Sequence, residues 1–298
     1  MKPYLVLLLC LGLPLKGLAE VRIFACEPEW AALGQHIGGD LATVTQATQA
    51  LQDPHHIQAR PSLIARMRRA DLVLCTGAGL ETGWLPLLLR RANNPQVQPG
   101  QPGYLEAASV VPLREKPQRL DRAQCDIHAA GNPHIQTDPR NILRVAEALA
   151  DRLALIDPAH AGTYQQHLAD FTTRWQQAMA DWQRQAAPLQ GMPVVVQHNS
   201  WVYLAHWLGL EQVATIESKP GVPPSGADLA RLQQILQQRP ARAIIRAAYQ
   251  DPRAADWLAE HTGLPVVVLP FTVGGDEQAG DLFALFDDTL QRLLAVAP

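Results

Sequence analysis

The sequence predicts an α/β protein: two α/β lobes built on mainly parallel sheets and joined by a long bracing helix. Three observations lead to this class. Strand-like and helix-like segments alternate through both halves of the chain. Several strand-like segments are short unbroken apolar runs, such as Leu72-Val73-Leu74-Cys75 and Val194-Val195-Val196, the kind buried on both faces of a parallel sheet. Between the halves, Tyr164, Leu168, Phe171, Trp175, Met179 and Trp182 recur every three or four residues, the single apolar stripe of one helix.

Taken in order, residues 1–19 read as an export signal. Met1-Lys2 supplies a positive start, Tyr4 to Leu15 an apolar run too short to span a bilayer, and Gly17-Leu18-Ala19 the small residues of a cleavage site. Cleavage near Ala19 gives a periplasmic chain and removes Lys2 and Lys16, taking the formal charge from −3 to about −5. The remaining basic residues are scattered, which excludes a nucleic-acid footprint. Apolar content of 47% against 18% charged residues excludes disorder. No later apolar stretch reaches transmembrane length.

The first lobe, residues 20–138, opens with a strand at 21–26 and a helix at 29–37. A strand at 41–45, a helix at 62–70 and a strand at 71–75 follow. Residues 93–133 are rich in Pro, Gly and Asn, with one short strand near 109–113. Within that stretch the loop 114–130, holding Cys125 and His128, is expected to be mobile and to assist ligand capture without supplying a permanent ligand. The helical linker, 139–188, has helices at 141–155 and 159–186, broken at Asp157-Pro158. At 28 residues the second would be about 42 Å long. The second lobe, 189–298, has strands at 194–197, 211–216, 243–246 and 266–270. Its helices fall at 201–208, 227–238, 253–261 and 281–295.

Three cysteines remain after cleavage, so one disulfide is possible in an oxidising compartment. Cys26 and Cys75 both end predicted strands and are the favoured pair among three. Cys125, near His128 and His134, is a minor candidate for a metal-bound thiolate.

Three histidines stand where the chain leaves a strand or enters a helix. His55 follows Asp53-Pro54, His134 follows Gly131-Asn132-Pro133, and His198 ends the run Val194–Gln197. Each alone reads as an exposed loop or buried core histidine. Three in the same context point instead to a metal site, since imidazoles plus one carboxylate form a closed four-coordinate set suited to zinc. His56 competes with His55. The carboxylate is expected from Phe271–Glu277, where Gly274 and Gly275 free the backbone to bring Asp276 inward. Glu277 and Asp281 are the alternatives.

The order of motifs resembles the periplasmic zinc/manganese receptors of ABC transporters (cluster A-I, TroA-like). The matching stretches begin with Asp53-Pro54-His55 before Arg60-Pro61-Ser62, then Ala70-Asp71-Leu72-Val73 with Gly79-Leu80-Glu81. Gly131-Asn132-Pro133-His134 with Asp138-Pro139 and Asp157-Pro158 with Tyr164 come next. His198 with Leu204–Leu210, Lys219-Pro220-Gly221 with Pro224-Ser225, and the closing Gly274-Gly275-Asp276 complete the set. The resemblance implies metal held in a cleft between the lobes, with His55, His134 and His198 as the first three ligands. It also implies delivery to a membrane permease by a monomeric protein, with a periplasmic metallochaperone as a further partner. A histidine at the third position favours Zn²⁺ over Mn²⁺, where glutamate is common. Two departures stand out: there is no long His-rich loop, and Thr272-Val273 follows the last strand where many relatives have the acidic ligand.

Two other classes compete. A zinc hydrolase would use the same histidines with Glu27, Glu217 or Asp276 as base, but no His-Glu-x-x-His motif is present. A metal-free receptor for an organic solute would make the three histidines coincidental.

Overall fold

The computed structural model describes residues 20–117, 128–219 and 221–297. The export signal and Cys125 lie outside these residues. Two four-stranded sheets, every pairing parallel, form the two halves.

The first half begins with β1 (Val21–Ala25), α1 (Pro28–Gly38) and β2 (Ala42–Gln46). Next come α2 (Pro61–Arg69), β3 (Leu72–Cys75), α3 (Leu85–Ala92) and β4 (Tyr104–Glu106). Its strand order is β2-β1-β3-β4. Two elements differ from the sequence reading. The helix α3 was not anticipated, and the edge strand lies at Tyr104–Glu106, with a 3₁₀ turn at Ala107–Val110 where a strand was expected. A three-residue edge strand is too short to show a period.

Two helices follow, α4 (Pro139–Ile156) and α5 (Ala161–Gln185). Asp138 caps α4, its Oδ1 accepting from the Arg140 amide at 2.9 Å, and Pro139 occupies the first helical position, where the missing N–H costs nothing. The aromatic stripe of α5 is buried at Tyr164, Phe171, Trp175 and Trp182. Each buried polar tip is satisfied: the Trp175 indole donates to the Pro139 carbonyl at 2.8 Å, Trp182 to Asp287 at 2.6 Å, and the Tyr164 hydroxyl to Asp157 at 2.7 Å.

The second half comprises β5 (Pro193–Val196), α6 (Val202–Leu208), β6 (Glu211–Thr215) and α7 (Gly226–Gln238). It closes with β7 (Ala243–Ala247), α8 (Arg253–Thr262), β8 (Val266–Leu269) and α9 (Leu282–Leu294). The order β6-β5-β7-β8 repeats that of the first sheet. One apolar cluster runs from Ile23 and Leu74 through Val145, Leu149, Phe171 and Trp175 to Phe286, Val194 and Leu269. The two halves therefore share a core, and α5 packs against α1 at one end and α9 toward the other.

Both sheets have a switch point, at β1/β3 and at β5/β7, where the crossovers leave in opposite directions. Ligands of open parallel sheets bind beyond the carboxyl ends of strands at such points. Cys26 and Cys75, just beyond β1 and ending β3, are joined by a disulfide with their Cα atoms 4.7 Å apart. This is the pair favoured from the sequence.

Candidate metal centre

Each histidine is fixed by local chemistry specific to its loop. His55 closes an Asx turn: Asp53 Oδ1 accepts the His55 amide at 3.0 Å and pairs with its Nδ1 at 2.8 Å. The Pro54 carbonyl accepts the Trp84 indole N–H at 2.9 Å, which ties this loop to the segment entering α3. Gly83 lies beneath it; a Cβ there would come within 3.1 Å of the His55 carbonyl. The Gly79-Leu80-Glu81 motif serves the same region. Gly77, Ala78 and Gly79 all have positive φ, and the buried Glu81 carboxylate folds back to accept the Thr76 and Gly77 amides at 2.7 and 3.0 Å.

His134 sits on the seam between the halves. Its amide donates to Asn132 Oδ1 at 3.1 Å, while Asn132 Nδ2 donates across the seam to the Asn199 carbonyl at 2.7 Å. The Tyr203 hydroxyl donates to the Asn132 carbonyl at 2.7 Å and accepts the Arg114 amide at 3.0 Å. Gly131 has φ +129, and a Cβ there would lie 2.8 Å from the Arg114 carbonyl, so only glycine permits the approach. The His134 ring meets Phe271 edge-on.

His198 stands two residues beyond the end of β5. Its Nδ1 pairs with Glu217 Oε2 at 2.7 Å, and that oxygen also accepts the Gly221 amide at 2.9 Å.

The structure brings these three together: His55, His134 and His198 are all buried, and one ring nitrogen from each lies within 4.8 Å of the others. His55 Nε2 and both nitrogens of His134 have no hydrogen-bond partner. Buried polar atoms are normally paired, so unpaired nitrogens converging from separate loops are suited to hold an electrophile. The Asp53–His55 and Glu217–His198 pairs have the form of carboxylate–histidine–metal relays, in which Nδ1–H is held outward and the Nε2 lone pair faces the ion. Burial, followed by the neighbouring imidazoles His55, His198 and His128, pushes the His134 pKa well below its ordinary value, which keeps that ring neutral and ready to coordinate.

Asp276, the carboxylate expected from the last loop, has other partners in this structure. Its Oδ2 pairs with Arg292 on α9 at 2.8 Å and its Oδ1 accepts the Gln278 amide at 3.1 Å, so it is not among the converging atoms. The Gly-Gly turn frees the backbone as expected, but the guanidinium claims the carboxylate. Of the alternatives, Glu277 is exposed and Asp281 caps α9 through the Ala284 amide. His56, the competitor of His55, is exposed and lines a cleft of about 520 Å³ that leads from His55 and His198 past Tyr249 and Trp257. The carboxylates considered as hydrolytic bases are engaged elsewhere: Glu217 on His198, Asp276 on Arg292, and Glu27 Oε2 with the Thr76 hydroxyl at 3.1 Å. Most of the capture loop 114–130 is outside the described residues, but His128 is within them.

Sequence reasoning passed over Asp53 and Glu217 as partners of the histidines. Asp53, two residues before His55, was legible as an Asx turn. Glu217 is brought to His198 only by the β5–β6 pairing.

Two parallel α/β halves share a core, with a histidine-lined cleft at their seam. The described residues contain no helix long and apolar enough to cross a membrane. The chain belongs to the family described as "ZnuA: Zinc-uptake complex component A periplasmic", whose model matches residues 23–296. Among curated relatives it is 23% identical over 239 residues to the zinc-binding lipoprotein AdcA of Streptococcus pneumoniae, covering 79% of this chain and 46% of that protein. It is 26% identical over 275 residues to the high-affinity zinc uptake system protein ZnuA of Paracoccus denitrificans, covering 84% of this chain and 83% of the other. The chain thus spans about half the length of the first curated relatives it matches. Among solved structures, a crystal structure of ZnuA matches with a TM-score of 0.77 at 22% identity over 94% of this chain and all of the other. The protein FpvC of Pseudomonas aeruginosa in complex with Ni²⁺ matches with a TM-score of 0.78 at 21% identity, covering 93% and 97%.

Proposed function

We propose that this protein is a periplasmic receptor that captures Zn²⁺ through His55, His134 and His198 and delivers it to an ABC-type membrane permease. The observation that supports this most is the convergence of three buried imidazoles, His55 and His134 with unpaired nitrogens and His55 and His198 backed by carboxylates. An all-nitrogen set suits zinc, whereas manganese prefers oxygen-rich ligands, so Mn²⁺ is the weaker cargo. The relatives include both zinc and manganese proteins, which supports a divalent metal as cargo and leaves the choice to the ligands. Glu217 is held on His198 and Asp276 on Arg292, which favours binding and release over hydrolysis.

Elemental analysis of the purified protein, followed by competition of Zn²⁺ and Mn²⁺ against a fluorescent chelator, tests this reading. One zinc per chain with zinc preferred is the expected result; absence of a stoichiometric divalent metal site would end it. The receptor acts as a monomer and takes part of its metal from a periplasmic metallochaperone. Solution mass and transfer from a metal-loaded donor check those two points.

A further inference from the structure

His128 is the described residue whose surroundings neither the three-histidine site nor the apolar core accounts for. Both of its ring nitrogens are buried, Nδ1 against the backbone of the Gly79 turn and Nε2 with no hydrogen-bond partner. Leaving Nε2 dry costs free energy comparable to a lost hydrogen bond unless a ligand takes it. The ring stands beside the site. Its centroid is 5.4 Å from that of His55 and 6.2 Å from that of His134. The three central histidines are themselves separated by 5.4, 5.9 and 5.5 Å.

These distances approach tetrahedral geometry, with ring nitrogens of His55, His134 and His198 within 4.8 Å of one another and His128 lying further out. With Zn–N near 2.0–2.1 Å and a ring centre about 1.1 Å behind its nitrogen, four imidazoles on one zinc have centroids about 5 Å apart. Five of the six pairs among His55, His128, His134 and His198 fall within about an ångström of that value. The direction of the ring agrees. His128 Nδ1 faces the Gly79 turn, where a Cβ would lie 3.3 Å from it, which turns Nε2 away from that turn and toward the cluster.

Charge, the argument for an acidic fourth ligand, is already met one bond further out. Asp53 on His55 and Glu217 on His198 place two carboxylates behind the ligands, enough to offset a divalent ion.

We infer that His128, and not a carboxylate from the last loop, is the fourth ligand, completing a four-imidazole site for a tetrahedral divalent cation. The inference rests on the receptor reading and makes His128 a permanent ligand where the sequence suggested transient help. The test uses the exported chain with Zn²⁺ by chelator competition and Co²⁺ by visible absorption, comparing wild type, His134→Ala, His128→Ala and Asp276→Ala. Expected for His128→Ala is a loss of zinc affinity of about tenfold or more together with a shifted, weaker Co²⁺ band as water replaces nitrogen. Asp276→Ala should leave both unchanged.

Zinc affinity of His128→Ala within about threefold of wild type, or lower affinity with an unaltered Co²⁺ band, overturns the inference. In those cases His134→Ala still abolishing binding leaves the receptor reading intact. Wild type binding neither metal defeats both. Circular dichroism of the metal-free variants keeps misfolding separate from ligand loss.

Discussion

Glu217→Gln tests how the site holds zinc, because it keeps the shape of the partner of His198 and removes only its charge. The Glu217 oxygen lies 2.7 Å from His198 Nδ1. Adding the width of the ring and one Zn–N bond places it about 6.5 Å from the ion. At an effective dielectric near 20, one unit charge at that distance on a divalent ion gives about 5 kcal/mol, and partial neutralisation of both charges by the ring and solvent reduces this to about 1.5–3 kcal/mol. That corresponds to about 10–100-fold in affinity, the usual range for such partners. Asp53→Asn should cost less, because the Asp53 side chain is 40% exposed against 15% for Glu217 and its field is more screened. The assay is zinc titration against a fluorescent chelator at fixed ionic strength, with a thermal melt of the metal-free protein as control. If Glu217→Gln stays within about threefold of wild type, or Asp53→Asn proves the more damaging, the relay argument is wrong.

Further outcomes follow from the same geometry. Burial raises the Glu29 pKa to about 7, with the Thr272 hydroxyl opposing, so the carboxyl's contribution to stability is complete below about pH 4.5 and is lost as pH rises through about 7. Glu29→Gln should therefore match wild type near pH 5 and melt higher at pH 8, by stability on the order of 2 kcal/mol; equal differences at both pH values would contradict the sign. Removing zinc with a chelator should lower the melting temperature, since a ligand at about 100 times its Kd stabilises the fold by about 2.7 kcal/mol; differential scanning calorimetry reads this directly. Trp84→Phe frees the Pro54 carbonyl and should weaken zinc binding by about threefold to tenfold through a looser His55 loop, an effect that titration resolves and that a purely structural tryptophan would not produce.

Much of the fold was legible because its signals are local. The buried runs at β3 and β5, the stripe of α5 and the Pro-His contexts each lie within a few residues. The helix α3 was missed although Leu85, Leu88, Leu89 and Ala92 are buried at helical spacing, because Pro86 resembles a breaker and is in fact tolerated in the first turn. The site divides in the same way. Three ligand candidates were visible in their loops, whereas the fate of Asp276 depended on Arg292, sixteen positions later and on another element. A glycine pair can say that a backbone is free to turn; it cannot say which cation waits at the other side. The approach of His128 to His55 is likewise a tertiary fact, the two being 73 positions apart.

The shared core constrains how such a site can release its cargo. A hinge opening the halves as rigid bodies would shear the apolar cluster that links β1 and β3 through α4, α5 and α9 to β5 and β8. It would also break the Asn132–Asn199 bond and the contact of Glu29 with Thr272 across the seam. Close-packed interiors resist such displacement, so local movement of a loop is the less costly route. Among the four imidazoles, His55 and His198 are backed by carboxylates, and His134 is anchored through its amide and carbonyl to Asn132 and Thr137. His128 lacks a carboxylate partner and has only the Gly79 turn behind it. In a four-imidazole site it would therefore be the ligand with least to lose on leaving, and the exchange that frees the metal would begin there. The three better-held histidines would keep the ion in place until a stronger set of ligands took it.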